Sequence, residues 1–284
     1  MQPKVIACID GSAYSPALCD ASAWAALQLE APLTFLHLLD KPQHPPQSDL
    51  SGSIGFGAQE TLLEELAALD EKRGKLALER GRQILAAAME RARTAGVIAP
   101  EGLKRHGGLV ETLTEMEDGI RLLVIGKRGE ASDIASDHVG SRLERVIRAI
   151  RRPILVTMIE FQPPRRVMLA FDGSATTRKG INMVATSPLF QGLPCHLVMA
   201  GADTAEARAQ LAEARQTMEA AGFTAPTAIL PGEPENVLSA YQKENDIDLM
   251  IMGAYGHSRI RQLLVGSTTT AMIRKSTVPL LLLR

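Results

Sequence analysis

The chain has 284 residues, 45% of them hydrophobic, and a formal net charge of −1 from 31 Lys and Arg against 32 Asp and Glu. That length exceeds one small core and fits two domains of roughly 140 residues each, and the even charge balance leaves no broad basic field for nucleic acid. Cys8, Cys19 and Cys195 stand far apart with no C-x-x-C, arguing against a disulfide framework or zinc site and for a reducing cytoplasm, and no run reaches about 18 apolar residues or the form of an export signal, so no membrane is expected.

In chain order, "KVIACIDGSAYSPA" opens with a short apolar run and turns at Asp10-Gly11-Ser12. "LTFLHLLD" is a second apolar run, in which His37 reads as a core or strand-end residue rather than a ligand. About residues 42–75 a proline-rich turn and a Gly/Ser stretch lead into a charged amphipathic helix. This insertion reads either as an exposed segment with no ligand of its own or as a lid or partner-binding arm. Its "GSIGFG" has the look of a nucleotide loop, but no strand precedes it. "RLLVIGKRG" (121–129) and "VGSRLERVIRAIRRPILVT" (139–157) then close the first half, and "EFQPPRR" (160–166) breaks any regular element.

Beyond that break the pattern repeats. "RRVMLAFDGSATTRK" brings back the first turn as Asp172-Gly173-Ser174, "DLMIMGAYG" (248–256) matches 121–129, and "VGSTTTAMIRKSTVPLLLL" (265–283) matches 139–157. Three matched blocks in one order imply a duplicated domain, 1–160 and 161–284. Within the second copy, short apolar strands at 167–171, "CHLVMAG", "TAIL", "DLMIMG" and "VPLLLL" alternate with helical stretches. Strands separated by helices imply parallel pairing through right-handed crossovers. The expected fold class is α/β: two repeated open-sheet, mostly parallel α/β sandwich domains, Rossmann-like.

Ligands of open α/β sheets bind outside the carboxyl ends of strands, and Gly253 follows such a strand directly. Gly253 and Gly256, then nine residues, then Gly266-Ser267-Thr268 at a helix start form an array suited to an anion. Glycine permits positive φ and close approach, and unpaired N–H groups at the helix start favour phosphate. His257, Arg259 and Arg261 add cationic donors. Asp172, at the end of the first strand of this half, is placed to accept from a ribose hydroxyl or an adenine amino group, or else simply caps the next helix. There is no Walker lysine, no G-x-S-x-G elbow and no H-E-x-x-H, so no catalytic residue and no metal ligand is assigned.

The order D-G-S, then M-G-x-x-G-x9-G-S-T, then P-x-L-L-L resembles the universal stress protein family in its nucleotide-binding form, over the whole chain as a tandem pair. That resemblance implies an adenine nucleotide alpha hydrolase-like fold and a bound ATP, or AMP or ADP, with Mg as an optional companion. It implies a nucleotide site of Asp172, Met199 or Ala200, Met252, Gly253, Gly256, Gly266, Ser267 and Thr268, beside which His257 lies. The first copy retains Asp10, Gly126, Gly129, Gly140 and Ser141, but ten residues separate Gly129 from Gly140 and Glu130, Asp133 and Asp137 fall among them. Carboxylates raise the cost of a polyphosphate there, in part offset by Lys127, Arg128 and Arg142, which makes this the weaker site.

Three functions stay open: an ATP-binding stress regulator with at most slow hydrolysis, a scaffold or interaction protein with empty pockets, and an enzyme resembling the ATP pyrophosphatases. The last is disfavoured because "FDGSATT" lacks the S-G-G-x-D-S loop. The apolar closing strands need covering; they are expected to pair with each other as an intramolecular pseudo-dimer, with a homodimer of two chains as a further step.

Overall fold

The computed structural model describes residues 2–39, 56–129, 141–254 and 267–284. The first half contains β1 (Lys4–Cys8), α1 (Ser15–Gln28), β2 (Leu33–Leu39), α2 (Phe56–Thr94), β3 (Glu101–His106), α3 (Leu109–Met116), β4 (Ile120–Gly126), α4 (Ser141–Ala149) and β5 (Ile154–Thr157). The second contains β6 (Val167–Ala170), α5 (Ala175–Thr186), β7 (Cys195–Ala200), α6 (Ala205–Ala220), β8 (Thr227–Leu230), α7 (Pro234–Glu244), β9 (Leu249–Gly253), α8 (Ser267–Lys275) and β10 (Leu280–Leu283).

The strands form one sheet in the order β3-β2-β1-β4-β5-β10-β9-β6-β7-β8. Each half is parallel throughout, and the two meet where β10 runs antiparallel to β5, with Leu280 opposite Val156, Leu281 opposite Leu155 and Leu282 opposite Ile154. All six of these side chains are buried. The closing strands thus cover each other, as their composition requires. Because that single antiparallel step reverses direction, the carboxyl ends of the strands in one half open on the opposite edge of the sheet from those in the other.

Helices coat both faces. On one face α1, α2, α5 and α6 contribute Leu18, Leu85, Ile181, Val184, Leu211 and Met218 to a core with the inward side chains of the strands. On the other, α3, α4, α7 and α8 contribute Leu113, Val146, Ile147, Leu238, Met272 and Ile273. The strands are buried on both faces, which explains their unbroken apolar runs in the sequence. Local signals set the helix starts: Ser174 accepts from Thr177 N and Thr204 from Ala207 N as N-caps, and Pro234 takes the first turn of α7.

From residue 56 onward the inserted segment is not a separate helix. It runs into the helix of the repeat, giving α2 its 39 residues where α6, its counterpart, has 16. The "GSIGFG" stretch falls partly outside the described residues, and its Phe56 and Gly57 begin α2. His37 is buried, with Nδ1 2.8 Å from the Ile9 carbonyl, as a strand residue with a satisfied ring.

Two long side chains lock the halves together by capping helices across the seam. Lys127 Nζ donates to the Arg274 and Ser276 carbonyls (2.8 and 2.9 Å) at the end of α8. Arg284 donates to the Arg148 and Ile150 carbonyls (2.6 and 3.1 Å) at the end of α4. Cations here satisfy orphan carbonyls and complement the negative end of each helix. Burial, then the charge of Arg128, holds the Lys127 pKa below the ordinary lysine range. Trp24 of α1 reaches across as well, its ring 5.7 Å from that of Phe161 and 6.3 Å from that of Phe190.

Lys127→Met keeps most of the stem and removes both donors, so it should lower stability by about 2 kcal/mol, the scale of hydrogen bonds from a charged group, read by urea unfolding. A chain ended before Val278 lacks β10 and leaves β5 and β9 with bare edges. It should elute as aggregate in size-exclusion chromatography; a monodisperse, cooperatively unfolding product would contradict the role given to this seam.

Candidate functional site

In the second half, β6 and β9 are neighbours, yet β7 lies to one side of β6 and β10 to the other side of β9. That is the point where the direction of strand addition reverses, and it leaves a crevice at the strand ends. Ala170 of β6 pairs with Val198 of β7 and Met252 of β9, so Asp172, Ala200 and Gly253 emerge side by side at the carboxyl edge. Met199 and Met252 are buried in opposite layers of the core, leaving only their main chain at this edge. Ser267 and Thr268 open α8. Gly256, His257 and Gly266, with Arg259 and Arg261, lie outside the described residues.

The Asp172-Gly173-Ser174 turn is tightly built. Asp172 Oδ1 accepts from Ser174 N (3.0 Å) and from Thr177 Oγ1 (2.7 Å), while Ser174 caps α5. The helix cap is therefore Ser174, and Asp172 is the anchor of the turn that presents it. Gly173 has φ +70°, the left-handed region that glycine reaches without strain. Thr176, on the first turn of α5, stands over Gly253: a Cβ there would lie 3.3 Å from Thr176 Cγ2 and 3.4 Å from Thr177 Cγ2. Sequence reading missed both threonines, although "DGSATT" placed them directly after the turn.

The first half has the same frame with different walls. Asp10 Oδ1 accepts from Ser12 N (3.0 Å), and Gly11 has φ +80°. Here the residue over the glycine at the end of β4 is Tyr14, whose Cβ and Cγ would stand 3.1 and 3.6 Å from a Cβ at Gly126. A Cβ at Gly129 would stand 2.8 Å from Asp10 Oδ2, so the start of this glycine loop lies against a carboxylate. Helix α2 also crosses the turn, with Ile84 Cδ1 2.8 Å and Arg80 3.9 Å from the Cβ position of Gly11; Gln210 of α6 occupies the matching place at Gly173. Lys127, read from sequence as a counter-charge for phosphates, instead faces the end of α8. Ser141 opens α4, whereas Gly140, Glu130, Asp133 and Asp137 lie outside the described residues.

Among the described residues no group of three or more His, Cys, Asp or Glu converges on a metal site, and no helix is long and apolar enough to cross a membrane. A mostly parallel, doubly wound sheet with a glycine and an aspartate at each switch point defines an open-sheet α/β protein. Comparison with known proteins narrows the class. The universal stress protein family matches residues 1–157 and again 164–284. Universal stress protein Slr1230 of Synechocystis sp. is 37% identical over 285 aligned positions, covering 99% of both chains. Universal stress protein MJ0577 of Methanocaldococcus jannaschii is 28% identical over 81 residues, covering 28% of this chain and 50% of its own. A universal stress protein of Archaeoglobus fulgidus has the same fold at a TM-score of 0.74 and 18% identity, over 99% of this chain and 98% of that one. The chain belongs to the universal stress protein family, as a tandem member.

Substituting the two left-handed glycines should give unequal results. Gly173→Ala and Gly11→Ala each incur about 1–2 kcal/mol of backbone strain. At Gly173 the obstructing atom is the tip of the mobile Gln210 side chain, whereas at Gly11 it is Ile84, packed against the core. Gly11→Ala should be the more destabilising in thermal unfolding.

Proposed function

We propose that this protein binds an adenine nucleotide, ATP in first place, in the second half, and acts as a cytoplasmic stress-response regulator with little or slow hydrolysis. Its two units on this reading are 1–160 and 161–284. The observation that carries the proposal is the convergence of Asp172, Ala200 and Gly253 on one switch-point crevice roofed by the small Thr176. Asp172 and the main chain at Met199, Ala200 and Met252 would face ribose and adenine. Gly253, with Gly256, His257, Gly266, Ser267 and Thr268, would take the phosphates, with or without Mg. The regulatory reading is supported by the described residues of the crevice, where the Thr177 hydroxyl and the Asp172 carboxylate hold each other within the turn and Gly253 allows close approach. The three thiols are free, consistent with a reducing compartment.

The first half is assigned the weaker site or none. Tyr14 over Gly126, α2 across Gly11 and Asp10 against Gly129 each reduce the room or raise the cost for an anion. One observation favours the alternative of a scaffold without nucleotide: Asp172 already holds two donors of its own turn.

Nucleotide released from purified, denatured protein and separated by HPLC decides between them. The expected result is adenine nucleotide near one per chain, lost in Gly253→Val and retained in Asp10→Ala, with calorimetry showing at least tenfold weaker binding for Gly253→Val. No adenine nucleotide in the wild type and no heat of binding would establish the scaffold.

A further inference from the structure

Helices α4 and α8 hold corresponding places in the two halves, and the antiparallel join brings the end of each beside strands of the other half. Strand β10 starts next to the carboxyl end of β5, with Leu280 opposite Val156. Helix α8, which leads into β10, therefore begins at the second crevice with Ser267 and Thr268 and ends at the edge where the first crevice opens. Lys127 stands at that edge. It follows Gly126, which pairs with Thr157, and its own N–H donates to the Thr157 carbonyl (2.9 Å), so the root of the side chain is fixed to the ends of β4 and β5.

Few other contacts hold α8. It has nine residues, about 13 Å of helix, and Thr268, Thr269 and Thr270 in its first turn lose side-chain freedom against the backbone. A helix this short does not persist by propensity and depends on tertiary anchors. Its buried apolar side chains are Met272 and Ile273, whereas α4 buries Leu143, Val146 and Ile147. Its polar tie to α7 runs from Lys275 to Asn236 (3.0 Å) and Glu235 (3.6 Å), side chains open to solvent that hold each other weakly. The charge-assisted bonds from the half-buried Lys127 to the Arg274 and Ser276 carbonyls are the firmer anchor.

We infer that, on the nucleotide reading given above, Lys127 is a positioning residue for the second-half site: a side chain of the first half that sets α8 so that its N-terminal N–H groups meet the phosphates. Both ends of α8 then face complementary charge, a cation at the carbonyl end and the anion at the N–H end. The second site is completed from across the seam. Arg284 supplies the comparison, since it caps α4 in the same way from the second half, and α4 begins at the other crevice.

Calorimetric titration of the full chain with ATP, at a temperature where circular dichroism shows every variant folded, tests this. Binding should be at least about fivefold weaker in Lys127→Met, the lower range for coupling between separated sites, and within about twofold of wild type in Arg284→Met. Both substitutions remove a cationic cap at the seam, so a role confined to holding the halves together would change the two affinities alike. Amide hydrogen exchange without ATP reads the helix itself: residues 269–275 should exchange at least about tenfold faster in Lys127→Met, with α4 unchanged. Wild-type ATP affinity in Lys127→Met, equal losses in the two variants, or wild-type exchange along α8 would overturn the positioning role and leave the nucleotide reading standing. A wild type that binds no adenine nucleotide overturns both.

Discussion

Every larger feature of this molecule follows from the antiparallel pairing of β5 with β10. A parallel sheet of five strands ends in a row of unpaired N–H and C=O groups, and here each half presents that row beneath a wholly apolar strand. Joining the two rows removes both edges at once and fuses two sheets into one of ten strands among the described residues. The reversal at the join fixes the rest: the strand ends of the two halves open at opposite edges, α4 and α8 lie on the same face of the sheet, and their terminal carbonyls fall within reach of Arg284 and Lys127. The seam is held by backbone pairing at its centre and by cationic caps at its flanks.

Within that shared frame, a few side chains distinguish the crevices. Threonine at 176 and tyrosine at 14 hold the same place, four residues past the aspartate, and differ in the room they leave above a glycine. The serine and threonine five residues past the aspartate also differ in role: Ser15 accepts from Gly11 N, while Thr177 donates to Asp172. Helix α2 adds an isoleucine and an arginine over one turn where α6 places a glutamine. The two copies therefore differ in the walls of the crevice as well as in the sequence of the loop.

The fold was legible in the sequence because buried parallel strands must be apolar throughout and because the D-G-S turn repeats at the same point in each half. The edge strand β3 carries no such mark: "EGLKRH" is almost wholly exposed, and it is a strand because six of its residues register with β2, a long-range pairing that its own composition does not announce. The length of α2 was hidden for a related reason, since the inserted residues and the repeat's own helix share one continuous helical pattern. Of the candidate site, Asp172, Ala200 and Gly253 come together as strand order requires. Thr176, Thr177 and the redirected Lys127 needed the packing of α5 and α8, which spacing alone does not reveal.

The seam also bears on how the two halves change over time. In a symmetric dimer of identical chains, any substitution is felt twice, so a residue that harms one crevice harms both. Here the caps come from unlike places, one just after β4 and the other just after β10, and the halves are no longer interchangeable. Covalent linkage lets one turn lie under a helix of 39 residues while the other lies under one of 16. A duplicated fold thereby becomes a molecule with two different ends.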